Sequence, residues 1–397
     1  MKTFTNRQIF LSHVAQTSQA PLMLEIERAE GVYLFGADGK KYIDLIAGIS
    51  VSNLGHCHPQ VVKSVQEQAA KYMHLMVYGE FVESPQVKYA ERLTAFLPAS
   101  LNNVYFTNSG TEATEGALKL AKRVTGRTQL ISFKNGYHGS TQGALSMMGD
   151  ETFKRSFRPL LPDTLQLTYG EEAELSLITN KTAAVIIEPV QAESGISVPS
   201  KSFIQQLRKI CNETGALLIL DEAQTGLGRT GELFAFEHYD VVPDILLLAK
   251  ALGGGMPLGA FIASKELMQA LTENPVLGHI TTFGGHPVCC AAGLAAFEVL
   301  IQDKLVEQVE AKGKLFESLL SHPKIKSKHR IGLMMALEFE SFEMNKGIID
   351  RCIENGVLTD WFLFAPQCMR IAPPFIIAED QIKAACEVIL EAIEQQG

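Results

Sequence analysis

The sequence ALLILDE at residues 216–222 decides the fold prediction, because an uninterrupted aliphatic run ends there at two carboxylates. Two further runs share this design and lead into Glu188 and Lys250: Ala183–Ile187 and Ile245–Leu248. Continuous aliphatic runs of this length are typical of strands covered on both faces, as in a parallel sheet between layers of helices. Ligands of such sheets bind outside the carboxyl ends of the strands. We therefore expect Asp221 and Lys250 to lie at one edge of one sheet.

The lysine is the more informative of these two side chains. Lys250 lies between the aliphatic run and the glycines at 253–255. Apolar surroundings disfavour the ammonium form, so they lower the pKa of a lysine and make its amine nucleophilic. Such an amine suits a Schiff base, and pyridoxal phosphate needs that lysine, an acid for its ring nitrogen and a phosphate site. A plain salt bridge between Asp221 and Lys250 is the alternative.

A candidate phosphate site lies at residues 107–113, TNSGTEA, between a strand-like and a helix-like stretch. Gly110 permits close backbone approach, Ser109 and Thr111 add hydroxyls, and the first free amides of a helix attract an anion. An ordinary helix cap without a ligand is the alternative. The nearby carboxylate and lysine favour the phosphate.

Two other motifs are weaker. The glycine pattern at 226–231 matches G-x-G-x-x-G, but residues 232–244 contain no clear amphipathic helix, which a dinucleotide fingerprint requires. A nicotinamide-dependent oxidoreductase is therefore only a remote alternative. The sequence His56-Cys57-His58 has no further ligand at metal-site spacing, and a structural turn with no metal is expected.

Composition indicates a large globular enzyme, with 46% apolar residues, 20% charged residues and a net charge of −9. The negative charge argues against a nucleic-acid partner. No apolar run approaches the roughly 18 residues of a membrane span, so no membrane partner is expected. Seven cysteines without C-x-x-C spacing predict reduced thiols and a cytoplasmic location.

The order of the predicted elements divides the chain into two domains. Residues 51–284 alternate helices with short apolar strands, which predicts an α/β domain with a large, doubly wound, mainly parallel sheet. The pattern predicts a hairpin within residues 1–50, and residues 285–397 mix long helices with strands. We expect these two ends to form one smaller α+β domain.

Eight motifs, spread in order over residues 20–380, resemble those of the class III pyridoxal phosphate aminotransferases. They are Leu54–Pro59, Ser109–Ala113, Gly136–Gly139, Glu188–Gln191, Asp221–Gly226, Lys250–Gly255, Thr281–Gly285 and Arg370–Pro374. The resemblance implies fold-type I, pyridoxal 5'-phosphate as cofactor, and a homodimer whose active sites are shared across the interface.

The resemblance also implies roles for individual residues. Lys250 would carry the cofactor and move the proton, and Asp221 would keep the ring nitrogen protonated. The remaining cofactor-binding residues would be Tyr137 on the ring face, Gln224 at the phenolic oxygen, Ser109, Gly110 and Thr111 at the phosphate, and Thr282 from the partner subunit. Thr281 would lie beside the substrate.

The substrate prediction depends on Glu193 and Arg370. In the ω-aminotransferase branch, the resemblance implies that this glutamate hides the arginine while an ω-amine donor is bound and releases it to bind the α-carboxylate of 2-oxoglutarate. A surface salt bridge is the alternative interpretation. Ser140 departs from the ornithine-type enzymes, which have an arginine there, so another cation such as Arg155 or Arg158 would be needed, or the substrate lacks that carboxylate.

The predicted function is transfer of an amino group from an ornithine or N-acylornithine type donor to 2-oxoglutarate by a ping-pong mechanism. Alternatives on the same fold are enzymes for 4-aminobutyrate, lysine or another amine, and an aminomutase. The sequence leaves open which donor is used and whether dimers assemble further.

Overall fold

The computed structural model describes residues 5–396. Within this range the strands are β1 Ile26–Glu30, β2 Tyr33–Gly36, β3 Lys41–Asp44, β4 Asn103–Thr107, β5 Gln129–Phe133, β6 Thr164–Leu167, β7 Thr182–Ile187, β8 Leu217–Asp221, β9 Ile245–Leu248, β10 Gly259–Ala263, β11 Ser327–Ile331, β12 Met334–Glu338, β13 Val357–Leu358, β14 Trp361–Phe362 and β15 Ala365–Ile371. The helices are α1 Asn6–His13, α2 Ala47–Ser50, α3 Pro59–Lys71, α4 Ser84–Thr94, α5 Gly110–Thr125, α6 Gln142–Met147, α7 Glu151–Lys154, α8 Lys201–Thr214, α9 Lys265–Met268, α10 Pro287–Gln302, α11 Leu305–Leu319, α12 Phe342–Glu354 and α13 Glu379–Glu394.

A seven-stranded sheet forms the centre of the molecule, in the order β4-β10-β9-β8-β7-β5-β6. Only β10 runs antiparallel to its neighbours, β4 and β9. Alternate residues of β8 lie in two separate apolar clusters, with Leu218 and Leu220 on one face and Ile219 on the other. Helix α5 packs on β7, β9 and β10, and α8 packs on β8. Burial on both faces explains why these strands read as continuous aliphatic runs.

Two smaller sheets complete the fold. One has the order β1-β2-β3-β13, and in it the C-terminal strand β13 pairs in parallel with β3 near the N-terminus. The other has the order β11-β12-β15-β14 and is antiparallel throughout. Helix α12 packs on β15 and on α13, which also packs on α11. The predicted α/β class is therefore confirmed, while the domain limits, 1–50 with 285–397 and 51–284, stay a prediction.

The large sheet delivers four side chains to one edge. Ser109 follows β4, Glu188 follows β7, Asp221 ends β8, and Lys250 follows β9 after a single alanine. The backbone of Lys250 has a φ of 50°, in the left-handed region that a side chain rarely adopts. No helix within residues 5–396 is long and apolar enough to cross a membrane.

Candidate active site

A cavity of about 490 Å³ opens at this edge of the sheet. It brings together eight of the residues predicted from sequence: Ser109, Gly110, Thr111, Tyr137, Ser140, Asp221, Gln224 and Lys250. The structure does not bring Thr281 or Thr282 to the cavity of the same chain. Thr281 accepts a hydrogen bond from the amide of Gly284, and Thr282 is exposed.

The amine of Lys250 lies among several charged groups without pairing with any of them. Within the described chain, no hydrogen bond or ion pair shorter than 4.0 Å joins its Nζ to another side chain. Burial lowers the pKa of Lys250, although the nearby charges of Glu193 and Asp221 oppose that shift. Lys250 is half-buried, and an amine without a side-chain partner and with a lowered pKa is the state in which lysine acts as a nucleophile or a base.

Asp221 is held by a histidine that sequence reasoning did not include among the site residues. His138 Nδ1 lies 2.7 Å from Asp221 Oδ2, and the imidazole is almost fully buried. Burial opposes a charge on His138, but the hydrogen bond and the charge of Asp221, together with Glu188, raise its pKa. The amide of Ala223 donates to Asp221 Oδ1 at 3.0 Å. The carboxylate is thus fixed in orientation. The only sequence signal for His138 was its place beside Tyr137.

Glu188 is the second functional residue that was missed as part of the site. It lines the cavity, and burial raises its pKa to about 7. Its carboxylate accepts hydrogen bonds from the amides of Tyr137 at 2.8 Å and Ala192 at 3.4 Å. These contacts fix the loop that carries Tyr137, whose hydroxyl lies 3.2 Å from Ser140 Oγ. The signal for Glu188 was its position directly after β7.

The start of α5 forms a small cradle. Ser109 Oγ accepts from the amide of Glu112 and so caps the helix, whose first amides have no intrahelical acceptor. Across from it, Gly139 has a φ of 123°, and a Cβ there would lie 2.4 Å from Thr111 Cβ. A Cβ on Gly110 would lie 3.2 Å from that of Ala249. Glycine at these two positions therefore lets neighbouring backbone approach the start of α5 closely. The first amides of the helix are free there, which is a setting suited to a phosphate.

Glu193 and Arg370 form a buried bidentate pair next to the cavity. Arg370 Nη1 and Nη2 donate to Glu193 Oε1 and Oε2 at 3.0 and 2.9 Å. Gln224 Nε2 donates to the same Glu193 Oε1 at 3.0 Å, which links the pair to the cavity wall. Burial alone would raise the pKa of Glu193, but the charge and hydrogen bonds of Arg370 hold it at about 2. With side-chain exposures of 5% and 4%, this is not a surface salt bridge.

Ser140 stands where ornithine-type enzymes have an arginine, and neither Arg155 nor Arg158, the two possible replacements, lines this cavity. Arg158 is half exposed and pairs with Glu151 at 2.6 Å, and Arg155 lies in the adjoining turn. Lys250 is the one lysine or arginine among the described residues that line the cavity. Among the described lining residues, Ser140 is therefore accompanied by no cation other than Lys250.

The two weaker motifs have structural roles. The glycine loop at 226–231 leads into a short 3-10 helix, Ala235–Tyr239, rather than the long helix of a dinucleotide site. Its Arg229 is fully buried and donates to the carbonyl of Pro373. His56 Nε2 lies 2.8 Å from Asp44 Oδ2. In residues 5–396, no group of three or more His, Cys, Asp or Glu side chains could hold a metal ion.

The sequence of nearly the whole chain matches one known family. The family described as aminotransferase class-III matches residues 14–393. This chain belongs to the class III aminotransferases. Among curated relatives, the acetylornithine aminotransferase of Methanopyrus kandleri is 41% identical over 390 residues, covering 97% of each chain.

Solved structures agree with this assignment. The ornithine aminotransferase of Toxoplasma gondii, in which PLP partially occupies the active site, has a TM-score of 0.90 and 29% identity, covering 98% of this chain and 93% of the other. The adenosylmethionine-8-amino-7-oxononanoate aminotransferase of Methanocaldococcus jannaschii has a TM-score of 0.91 and 28% identity, with 98% of both chains covered. The chain is thus a transaminase of fold-type I, and the nicotinamide-dependent alternative is not supported.

The lowered pKa of Lys250 gives a direct prediction for the protein without added pyridoxal phosphate. Reductive methylation requires the neutral amine, so the midpoint of its rate against pH should lie below the ordinary lysine value of 10.5. Glu193→Gln removes a charge that stabilises the ammonium and should move the midpoint still lower. Mass spectrometry of the Lys250 peptide measures both profiles. A midpoint at or above 10.5 in the unsubstituted protein would contradict this assignment.

Proposed function

We propose that this aminotransferase moves an amino group from an ornithine or N-acetylornithine type donor to 2-oxoglutarate, with pyridoxal phosphate as cofactor. The observation that carries the proposal is the buried Glu193–Arg370 pair beside the Lys250 cavity. The names of the relatives from Methanopyrus kandleri and Toxoplasma gondii support the donor class. Amino-acid metabolism, such as arginine biosynthesis, is the setting that follows from such a donor.

The cavity residues fit pyridoxal phosphate in size and chemistry. The amides at the start of α5, with Gly110, Thr111 and the capping Ser109, would hold the phosphate. Asp221 would face the ring nitrogen, and Lys250 would face the aldehyde. Tyr137 would cover the ring, and Gln224 would reach its phenolic oxygen. When bound, this cofactor supplies an aldehyde that takes up the amino group and a ring that withdraws electrons.

Each protein group then has a defined task. Lys250 Nζ, with its lowered pKa, removes the proton from the donor carbon and returns it during transfer. Asp221 supplies a fixed negative charge, because His138 and the amide of Ala223 hold its two oxygens. Glu188 keeps the Tyr137 loop in place through the amide of Tyr137. Atoms balance over two half-reactions: the amine becomes an aldehyde, and 2-oxoglutarate becomes glutamate.

The Glu193–Arg370 pair allows one pocket to accept two unlike substrates. While the pair is closed, Arg370 offers no free donors to an α-carboxylate, so an ω-amine can approach Lys250 with its far end elsewhere. When the Glu193 side chain rotates away, the fork of Arg370 can bind the α-carboxylate of 2-oxoglutarate in a bidentate manner. Among the described residues that line the cavity, Lys250 is the one lysine or arginine, so a cation for a donor carboxylate near Ser140 would come from beyond that lining.

A homodimer with a shared site is part of the proposal. Several large apolar side chains that line one groove are exposed in the single chain, among them Phe81, Val82, Val276 and Ile280. Contiguous exposed apolar surface of this kind marks a protein interface. Thr282 is exposed two residues after Ile280 and would complete the phosphate site of the partner subunit. The cytoplasmic location stays a prediction.

Two substitutions should separate the two half-reactions. Arg370→Ala should slow the reaction with 2-oxoglutarate by about 100-fold, because a buried charged donor to the carboxylate is lost. Glu193→Gln should instead slow the reaction with ornithine or N-acetylornithine, because the closed pair is weakened. Single-turnover absorbance kinetics measure each half separately, and Lys250→Ala, which should lose both, is the control. Equal losses in both halves for Arg370→Ala would contradict the proposal.

The shared site can be tested by complementation between two inactive variants. Thr282→Glu should place a negative charge against the phosphate site of the partner, and Lys250→Ala removes the amine. Each homodimer should be inactive, but a hybrid dimer contains one site with both native residues, so co-expressed and doubly tagged hybrids should regain transamination. Hybrids that form but stay inactive would show that Thr282 does not act across the interface.

A further inference from the structure

The guanidinium of Arg370 has carboxylates on two sides. Nη1 and Nη2 face Glu193, as described above, and Nε donates to Asp360 Oδ1 at 2.9 Å. The side chain of Asp360 is 22% exposed, compared with 4% for Arg370. Arg370 therefore uses one edge for Glu193 and a different edge for Asp360. Asp360 lies outside the motifs recognised in the sequence.

Asp360 belongs to the same hairpin as Arg370. It directly precedes β14, which pairs with β15, and the amide of Arg370 donates to the carbonyl of Asp360 at 2.9 Å. The Phe362 ring lies under the guanidinium, 4.4 Å from its carbon, and the Trp361 carbonyl accepts from Nη2 at 3.3 Å. These partners are fixed to Arg370 through its own backbone pairing.

Glu193 reaches Arg370 from a separate part of the chain, beyond the end of β7. Its carbonyl accepts from the amide of Phe364 at 3.0 Å, so its backbone is anchored to the turn between β14 and β15. The carboxylate is also shared with Gln224 and with the amide of Leu363. Glu193 thus comes from a separate loop, whereas Asp360 is joined to Arg370 through their own hairpin. In the proposed acceptor half-reaction, Glu193 is the anion that is exchanged and Asp360 is the one that stays.

We propose that Asp360 is a positioning residue for the acceptor half-reaction, which keeps Arg370 in place and aims its Nη1–Nη2 fork when the α-carboxylate of 2-oxoglutarate replaces Glu193. The inference rests on the proposed function, because it requires Arg370 to bind that carboxylate. A charge-assisted hydrogen bond to Nε fixes the plane of the guanidinium, and a bidentate contact depends on that plane. It also keeps one anion beside the buried cation during the exchange.

The test compares Asp360→Ala with Asp360→Asn and a matched control, Asp350→Ala. Asp350 is another carboxylate of the C-terminal part and pairs with Lys346 on the surface of α12. Assays at pH 8 keep Asp360 ionised, since burial raises its pKa to about 6. Two readouts are used: binding of glutarate, a dicarboxylate without a reactive carbonyl, by calorimetry, and single-turnover rates of the two half-reactions.

For Asp360→Ala, the dissociation constant of glutarate and the KM for 2-oxoglutarate should rise about tenfold, the factor expected for one charge-assisted hydrogen bond. The ornithine-type half-reaction should stay within about twofold. Asp360→Asn keeps an oxygen that can accept the hydrogen bond from Arg370 Nε, so this variant should recover part of the loss. It also provides the test if the alanine variant does not fold. Asp350→Ala should leave every value unchanged.

Three results would overturn the inference: equal losses in both half-reactions, tighter glutarate binding in Asp360→Ala, or the same losses in Asp350→Ala. Failure of the proposed function looks different. In that case the unsubstituted enzyme would itself fail to transfer an amino group from an ω-amine to 2-oxoglutarate, whatever the residue at position 360.

Discussion

Arg370 is buried with two carboxylates, Glu193 and Asp360, against its guanidinium, and this pairing shapes the substrate side of the molecule. Removing one partner from a buried ion pair leaves an uncompensated charge, which costs several kcal/mol, about 3–5 in measured cases. The loop after β7 and the β14–β15 hairpin each supply a carboxylate to the same guanidinium. In the proposed acceptor half-reaction, the α-carboxylate of 2-oxoglutarate would replace Glu193, so that one anion would be exchanged for another.

On the cofactor side of the site, the charged side chains likewise have opposite charges nearby. The negative charge of Asp221 is matched by His138, and Lys250 is influenced by Glu193, Asp221 and Glu188 without pairing with any of them. Glu222, the carboxylate next to Asp221, points elsewhere and accepts from the amides of Ala235 and Phe236 at 2.6 and 2.8 Å. Burial raises its pKa to about 8. One carboxylate of the adjacent pair thus serves the site, and the other fixes the following loop.

Much of the fold could be predicted because strands buried on both faces leave a plain aliphatic signal. The run Ile245–Leu248 coincides with β9, whereas β1 was missed because its sequence, IERAE, is mostly polar and exposed. The meeting of Asp221 and Lys250 could also be predicted, because parallel strands place their carboxyl ends at one edge of the sheet.

Contacts between distant parts of the chain could not be predicted from local sequence: the pairing of His138 with Asp221 spans 83 residues, and the Glu193–Arg370 pairing spans 177. The latter was expected only through family resemblance. Asp360 had no local signal at all, since its role depends on the register of a short hairpin.

The most direct test of one pocket serving two kinds of substrate is the absorbance spectrum of the enzyme reconstituted with pyridoxal phosphate. Ornithine, N-acetylornithine and L-glutamate are added separately, each without an oxoacid. L-glutamate and at least one of the ω-amine donors should convert the visible cofactor band to the band of the aminated cofactor. Conversion by L-glutamate alone, with no response to any ω-amine, would contradict a pocket that serves both kinds of substrate.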